Sequence, residues 1–311
     1  MPHKKFPFLA QLLRDNRPVG GWSFGATWSH ALRLEVGIDF RGFSVRYIDD
    51  MSFNNTSSKF NVPVPPTVVC VPCFSGAPWD LEVLTGLDGL PARTMRLPED
   101  LADVDVYASF LAEQVRDLDS YVLVGDSFGA VVSLALAIRQ PQGLVGLVLS
   151  GGFAANPLPW WKGVAAKLSR FATGALYRHG TLRFHASQLA SHFDAAAEVP
   201  HTQSDYRRLF VQNTPRSSYT ARVTSVTHFN LLNDLALVRV PTLVLTPADD
   251  RLVGADAARQ LLDGIRQSTE IVLPKTGHMF RFTHPTLYSN TIRAFVDSLQ
   301  PVDASAHSVA S

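Results

Sequence analysis

YVLVGDSFGA, residues 121–130, is the stretch on which the reading of this chain turns. Tyr121 to Gly125 is a short run with valine at 122 and 124 and no charge, the composition of a buried strand. SFGAVVSLALAIRQ follows as a helix and stops at Pro141. Between them stands Gly125-Asp126-Ser127-Phe128-Gly129. A serine on so tight a strand-to-helix turn has strained backbone angles, so its neighbours two residues away must be small. It also sits at a helix N-terminus, where free N–H groups and the dipole favour developing negative charge.

Outward from this turn the chain alternates strands and helices. TVVCVP (67–72) is a β-branched run bounded by prolines, and ARTMRLP (92–98) is a weaker strand. A helical stripe at Tyr107, Phe110, Leu111 and Val115 precedes the 121 strand, and LVGLVLSGG follows its helix as another strand. TLVLTPADD, GADAARQLLDGI, TEIVLP and LYSNTIRAFVDSLQ then repeat the alternation as strand, helix, strand and helix. Nearly continuous apolar strands alternating with helices predict an α/β fold, a mainly parallel sheet covered on both faces. From Phe153 to about Phe229 no strong strand appears, and PWWKGVAAKLSRF, HASQLASHF and SDYRRLFVQ read as helices. This segment is expected to be a helical insertion, a cap over 153–229, splitting a core of residues 43–152 and 230–300. Residues 1–42 form an extension with no assigned structure, and 301–311, small and polar, are expected to be disordered.

A serine hydroxyl needs a base, and the base needs an orienting acid. The strand PTLVLTPADD ends in Asp249-Asp250, and LPKTGHMF is a strand end followed by a loop with Gly277-His278. Both lie at C-terminal strand ends, where open α/β sheets bind ligands. His228 precedes the acid and His284 stands before Pro285 as a helix cap, which leaves His278 as the base.

With VGDSFGA, PTLVLTPADDRLV and TGHMF in hand, the chain resembles the α/β-hydrolase fold from about residue 43 to 300. The resemblance implies Ser127, Asp250 and His278 as catalytic residues. It maps the acid to Asp250, with Asp249 as a solvent-facing or helix-capping residue. It further implies an oxyanion hole of main-chain N–H groups. Aligning VVCVPCFSGAPWD to that loop puts Pro72-Cys73 where His-Gly is usual, with Phe74 as first donor and Phe128 as second. Cys73, Trp79, Trp160, Trp161 and Met279 are expected to border the substrate pocket, although Trp79 suits packing better than chemistry and the Trp160-Trp161 pair suits plain packing equally well. Within the fold the chain looks most like esterases of the pimeloyl-ACP methyl ester carboxylesterase group. The expected activity is carboxylic ester or thioester hydrolysis (EC 3.1.1) without cofactor or metal. C–C bond hydrolases, acyltransferases and cofactor-free haloperoxidases use the same residues, and the fold also serves as a non-catalytic binding module.

The CxxC of Cys70 and Cys73 contains the only two cysteines of the 311 residues. In an extended segment, positions three apart face opposite sides, which disfavours a disulfide. No second ligand pair supports a metal. Cys70 therefore reads as a small buried hydrophobe, and Cys73 as a thiol beside the site, sensitive to thiol reagents. Composition is that of an ordinary soluble protein, with 46% hydrophobic residues and net charge +1, and gives no general reason to expect nucleic acid or membrane as partner. The N-terminus MPHKKFPFLAQLLRDNRP has a basic start and a short apolar run, but Pro7 interrupts the run, Arg14 and Asp15 cut it short and no small-x-small cleavage site follows, so a cytoplasmic location is expected. The insertion alone is basic, with nine Lys and Arg against three acids. That excess is either a solvated surface or a rim for an acyl-carrier- or CoA-linked ester.

Overall fold

Six parallel strands carry the site, and their residue types explain why they are central. The computed structural model describes residues 37–39, 42–44 and 64–299. The strands are β3 (Thr67–Val71), β4 (Ala92–Thr94), β5 (Tyr121–Asp126), β6 (Leu144–Ser150), β7 (Thr242–Asp249) and β8 (Ser268–Gly277), in spatial order β4-β3-β5-β6-β7-β8. Their side chains alternate faces as the pleat requires. Val68, Cys70, Val122, Val124, Val148 and Leu245 enter one apolar cluster. Val69, Val71, Leu123, Leu147, Leu149 and Val244 enter the other. Helices α1 (Val104–Val115), α2 (Phe128–Ile138) and α7 (Ala255–Gly264) cover the second face. The long helix α9 (Pro285–Ser298) covers the first, preceded by the short α8 (Phe280–Thr283). The α/β class and the covered parallel sheet read from the sequence are thus found. β1 (Gly37–Asp39) and β2 (Gly42–Ser44) pair antiparallel by themselves. The remainder of the expected 1–42 extension and the expected disordered tail at 301–311 fall outside the described residues.

Between β6 and β7 the chain forms helices α3 (Trp160–Leu168), α4 (Leu182–Leu189), α5 (Gln203–Asn213) and α6 (Arg216–His228), with a π-helical turn at Leu176–Thr181. The α6 helix is absent from the sequence reading. RSSYTARVTSVTH is rich in Ser, Thr and Val, all indifferent helix formers. Tertiary burial of Tyr219, Arg222, Val223 and Val226 on one face supplies what propensity lacks. Among the described residues no helix is long and apolar enough to cross a membrane.

Candidate active site

The elbow at the end of β5 is set by backbone geometry. Ser127 has φ 56° and ψ −113°, a conformation that costs an L-residue on the order of 1–3 kcal/mol and persists only where surroundings impose it. The surroundings do so: Ser127 N–H donates to the Ser150 carbonyl at 2.8 Å, tying the turn to the neighbouring strand. A Cβ at Gly125 would strike the Gly129 carbonyl, and one at Gly129 would strike the carbonyls of Val71 and Pro72. Both glycines of the motif are therefore required sterically.

His278 follows β8, and its imidazole bridges two groups. Its Nε2 lies 2.8 Å from Ser127 Oγ and its Nδ1 2.7 Å from Asp250 Oδ2. Asp250 Oδ1 accepts the N–H groups of Leu252 and Val253, each at 2.9 Å, which fixes the carboxylate at the end of β7. Asp249 instead points outward, accepting from Ser191 Oγ at 2.6 Å and pairing with Arg251 and His192. His284 stands at the N-cap position of α9 without a side-chain capping bond. His228 is exposed on α6.

Electrostatics poise the pair. Burial alone would push the His278 imidazole down, but the Asp250 charge and hydrogen bond, helped by Asp126, together hold it above its ordinary value. Burial works against the Asp250 carboxylate too, yet His278 and the two backbone N–H groups keep it below the usual carboxylate range. A general base must be neutral to accept a proton. Activity should therefore fall on acidification with a midpoint above the ordinary imidazole value of about 6.5. In Asp250→Asn that midpoint should move down, because burial then acts unopposed by the Asp250 charge. A pH profile of kcat/KM checks both, and an unmoved midpoint would separate Asp250 from the titrating group.

Pro72-Cys73, which departs from the usual loop sequence, causes no strain at Cys73. The positive φ occurs at Gly76 (74°), whose N–H closes a turn onto the Cys73 carbonyl at 2.9 Å. This loop is anchored from α6 and the segment before it. Arg222 is 1% exposed and donates to the Phe74 carbonyl at 2.9 Å, the Pro98 carbonyl at 3.1 Å and the Tyr107 hydroxyl at 3.3 Å. Thr214 Oγ1 donates to the Ser75 carbonyl at 3.0 Å. Among the described residues the backbone N–H groups of Phe74 and Phe128 have no protein acceptor.

A cavity of about 440 Å³ opens onto Ser127 and His278. Cys73 and Met279, two of the residues proposed for the pocket, line it together with Phe74, Phe128, Phe210, Tyr219 and Leu252. Trp79 does not. It is buried away from the cavity, its ring 4.4 Å from the Arg281 guanidinium and 5.7 Å from Tyr288, so it is a packing platform. Trp160 and Trp161 do not line the cavity either. They stand 81% and 50% exposed on the outer side of α3. Cys73 lines the cavity. Burial first, and then Asp126, push its pKa up, and its Sγ is hydrogen-bonded to Ser75 Oγ at 3.3 Å. Cys70 is fully buried with its pKa pushed up to about 12, and both cysteines are free. Among the described residues no cluster of His, Cys, Asp and Glu is arranged to hold a metal ion.

Two charged groups escape the sequence reading. Arg281 forms a buried ion pair with Asp126 at 2.8 Å, directly behind the elbow. Arg222, counted there with the basic surface, is internal. The signal for it was present: Tyr219, Arg222, Val223 and Val226 follow helical i, i+3, i+4, i+7 spacing, so arginine stands inside an apolar stripe.

The serine aminopeptidase S33 family, Hydrolase_4, matches residues 86–282, more than half the chain. The chain belongs to this family of α/β hydrolases. A protein of Pseudomonas syringae pv. syringae named "Putative carbamate hydrolase RutD" is 24% identical over 188 residues, covering 60% of this hydrolase and 70% of that protein. Its namesake from Caulobacter sp. strain K31 is 27% identical over 214 residues, 67% and 76% of the two chains. Among solved structures, a hydrolase from Pseudomonas aeruginosa PA01 superposes with TM-score 0.64 at 17% identity, over 75% of this chain and 90% of that one. A malate-bound thermophilic esterase from Thermogutta terrifontis gives TM-score 0.63 at 19% identity, over 76% and 90%. At such identities these two structures speak to the fold of the hydrolase alone.

Proposed function

We propose that this α/β hydrolase cleaves carboxylic esters through an acyl-enzyme, with Ser127 as nucleophile, His278 as base and acid, and Asp250 as orienting acid. The observation that carries the reading is the unbroken chain from Ser127 Oγ through both nitrogens of His278 to Asp250, at 2.8 and 2.7 Å. Ser127 Oγ attacks the ester carbonyl as its proton passes to His278 Nε2. The tetrahedral oxyanion is received by the N–H groups of Phe74 and Phe128. His278 then returns the proton to the departing alkoxide, and the C–O bond breaks to leave acyl-Ser127 and an alcohol. Water, deprotonated by His278, releases the carboxylic acid by the same steps in reverse.

The cavity lining selects among substrates for this machinery. It is dominated by apolar side chains and contains no Asp or Glu. A substrate with a free α-amino group would leave its ammonium charge unpaired there, which argues against aminopeptidase action in this chain. A small polar carbamate, as the names of the RutD relatives suggest for those proteins, would leave most of the apolar surface unfilled. An apolar acyl chain fills it, at about 0.8 kcal/mol per buried methylene. On a series of p-nitrophenyl esters, kcat/KM should accordingly rise at least tenfold from acetate to a medium-chain ester. A flat or falling series would overturn the apolar-acyl assignment. No turnover on any ester by folded protein would overturn the ester hydrolase itself.

A further inference from the structure

The segment from α3 to the first turn of α4 combines two features that soluble surfaces usually keep apart. Trp160, Trp161, Leu168, Phe171, Leu176 and Phe184 are all at least 46% exposed, and they include every strongly exposed aromatic residue among the described ones. Interspersed with them are Lys167, Arg170, Arg178 and Arg183, exposed and, among the described residues, paired with no carboxylate. The chain has no Asp or Glu anywhere from Ser127 to Phe193. By contrast Arg207, Arg216 and Arg222 are engaged with backbone carbonyls, Lys162 donates to the Arg251 carbonyl and Arg208 pairs with Asp205, so the uncompensated cations of this segment are Lys167, Arg170, Arg178 and Arg183. Leu168, Phe171, Leu176 and Phe184 also line the 440 Å³ cavity, which places the cavity mouth within the exposed apolar patch.

We propose that this segment docks on an anionic phospholipid surface, and that the apolar chain of the ester enters the cavity directly from the lipid. Tryptophan is favoured at the headgroup level, and apolar side chains ringed by cations bind interfaces of negative charge. Lys and Arg in such positions keep their charges in the headgroup region while their stems lie along the acyl boundary. Complementary charge selects the occupant. Residues 1–62 of the chain hold eight Lys and Arg against five acids, and a second copy would present the same cationic face, so both would meet repulsion. An acidic carrier protein would satisfy the cations but not the protruding Trp160, Phe171 and Leu176. The delivery step rests on the ester-hydrolase reading; the docking surface itself is measured without turnover.

The test is co-flotation of the full-length protein with vesicles of phosphatidylcholine alone or with about 30 mol% phosphatidylglycerol. Partition onto the anionic vesicles is expected, falling in about 0.5 M salt, with tryptophan fluorescence quenched by brominated lipid. Each cation contributes about fivefold, so Arg170→Gln/Arg178→Gln should weaken partition about 25-fold. Trp160→Ala/Trp161→Ala should weaken it and abolish most of the quenching. Because all four side chains are exposed, thermal melts of both variants should match wild type. No partition, equal partition on neutral vesicles, or variants that partition like wild type would overturn the proposal. So would self-association or capture of an acyl carrier protein in place of vesicle binding. If partition holds while every ester is refused, the docking surface stands and the catalytic reading falls.

Discussion

Ser127→Ala is expected to lower kcat on p-nitrophenyl esters by about six orders of magnitude, with Tm reduced by no more than about 4 °C. The large loss follows because no other group near His278 Nε2 can form the acyl bond; the remaining donors and cavity then act only on water. The small change in stability follows from what the hydroxyl does structurally, which is a single hydrogen bond to His278 worth about 1 kcal/mol. Alanine endures the same φ of 56°. Ser127→Gly, freed of that strain, should melt no lower than Ser127→Ala and be equally inactive. Turnover surviving in either variant would remove Ser127 from the reaction.

The second large effect is at Arg222. Arg222→Met should cost about 3 kcal/mol, or a fall in Tm of about 6–12 °C, because three oxygen acceptors, the Tyr107 hydroxyl buried and the Phe74 and Pro98 carbonyls part-buried, lose their donor together. Among the described residues this guanidinium has no carboxylate partner, and it donates to the Phe74 carbonyl, beside the proposed oxyanion donors. The same substitution should therefore lower kcat about 10- to 100-fold with KM little altered, the pattern of a lost transition-state interaction. Arg222→Lys should recover little, since one ammonium cannot span the forked positions. Arg208→Ala, at an exposed pair with Asp205, serves as the control and should stay within about 0.5 kcal/mol of wild type. Unchanged kcat in a folded Arg222→Met protein would confine Arg222 to packing.

The sheet, the elbow turn and the strand-end positions of Asp250 and His278 were legible because each is a local pattern. Strand runs of five to seven apolar residues, a glycine-flanked serine, and Asp250 and His278 at strand ends announce themselves within short windows. The parts that stayed hidden depend on contacts across the fold. Arg222 meets Phe74 across 148 residues and Arg281 meets Asp126 across 155, and no window in the chain holds both ends. The α6 helix was missed for a related reason, its burial lying in tertiary packing and not in its Ser- and Thr-rich composition. The tryptophans divide. Trp79 packs on Arg281, in keeping with its packing reading, whereas Trp160 faces outward and meets neither its pocket nor its packing reading.

The attachment of the Cys73–Gly76 loop to Thr214 and Arg222 bears on how such an enzyme diversifies. In many layered folds a roof can be exchanged by recombination while the floor keeps its chemistry. Here the segment that would be exchanged also carries the props of the oxyanion loop, and Gly76 is small because a Cβ there would sit 2.5 Å from the Arg222 guanidinium. A chimera with a foreign roof would inherit new selectivity and a slackened loop in the same event. A swap that preserved the loop would have to bring Thr214, Arg222 and Gly76 as a set.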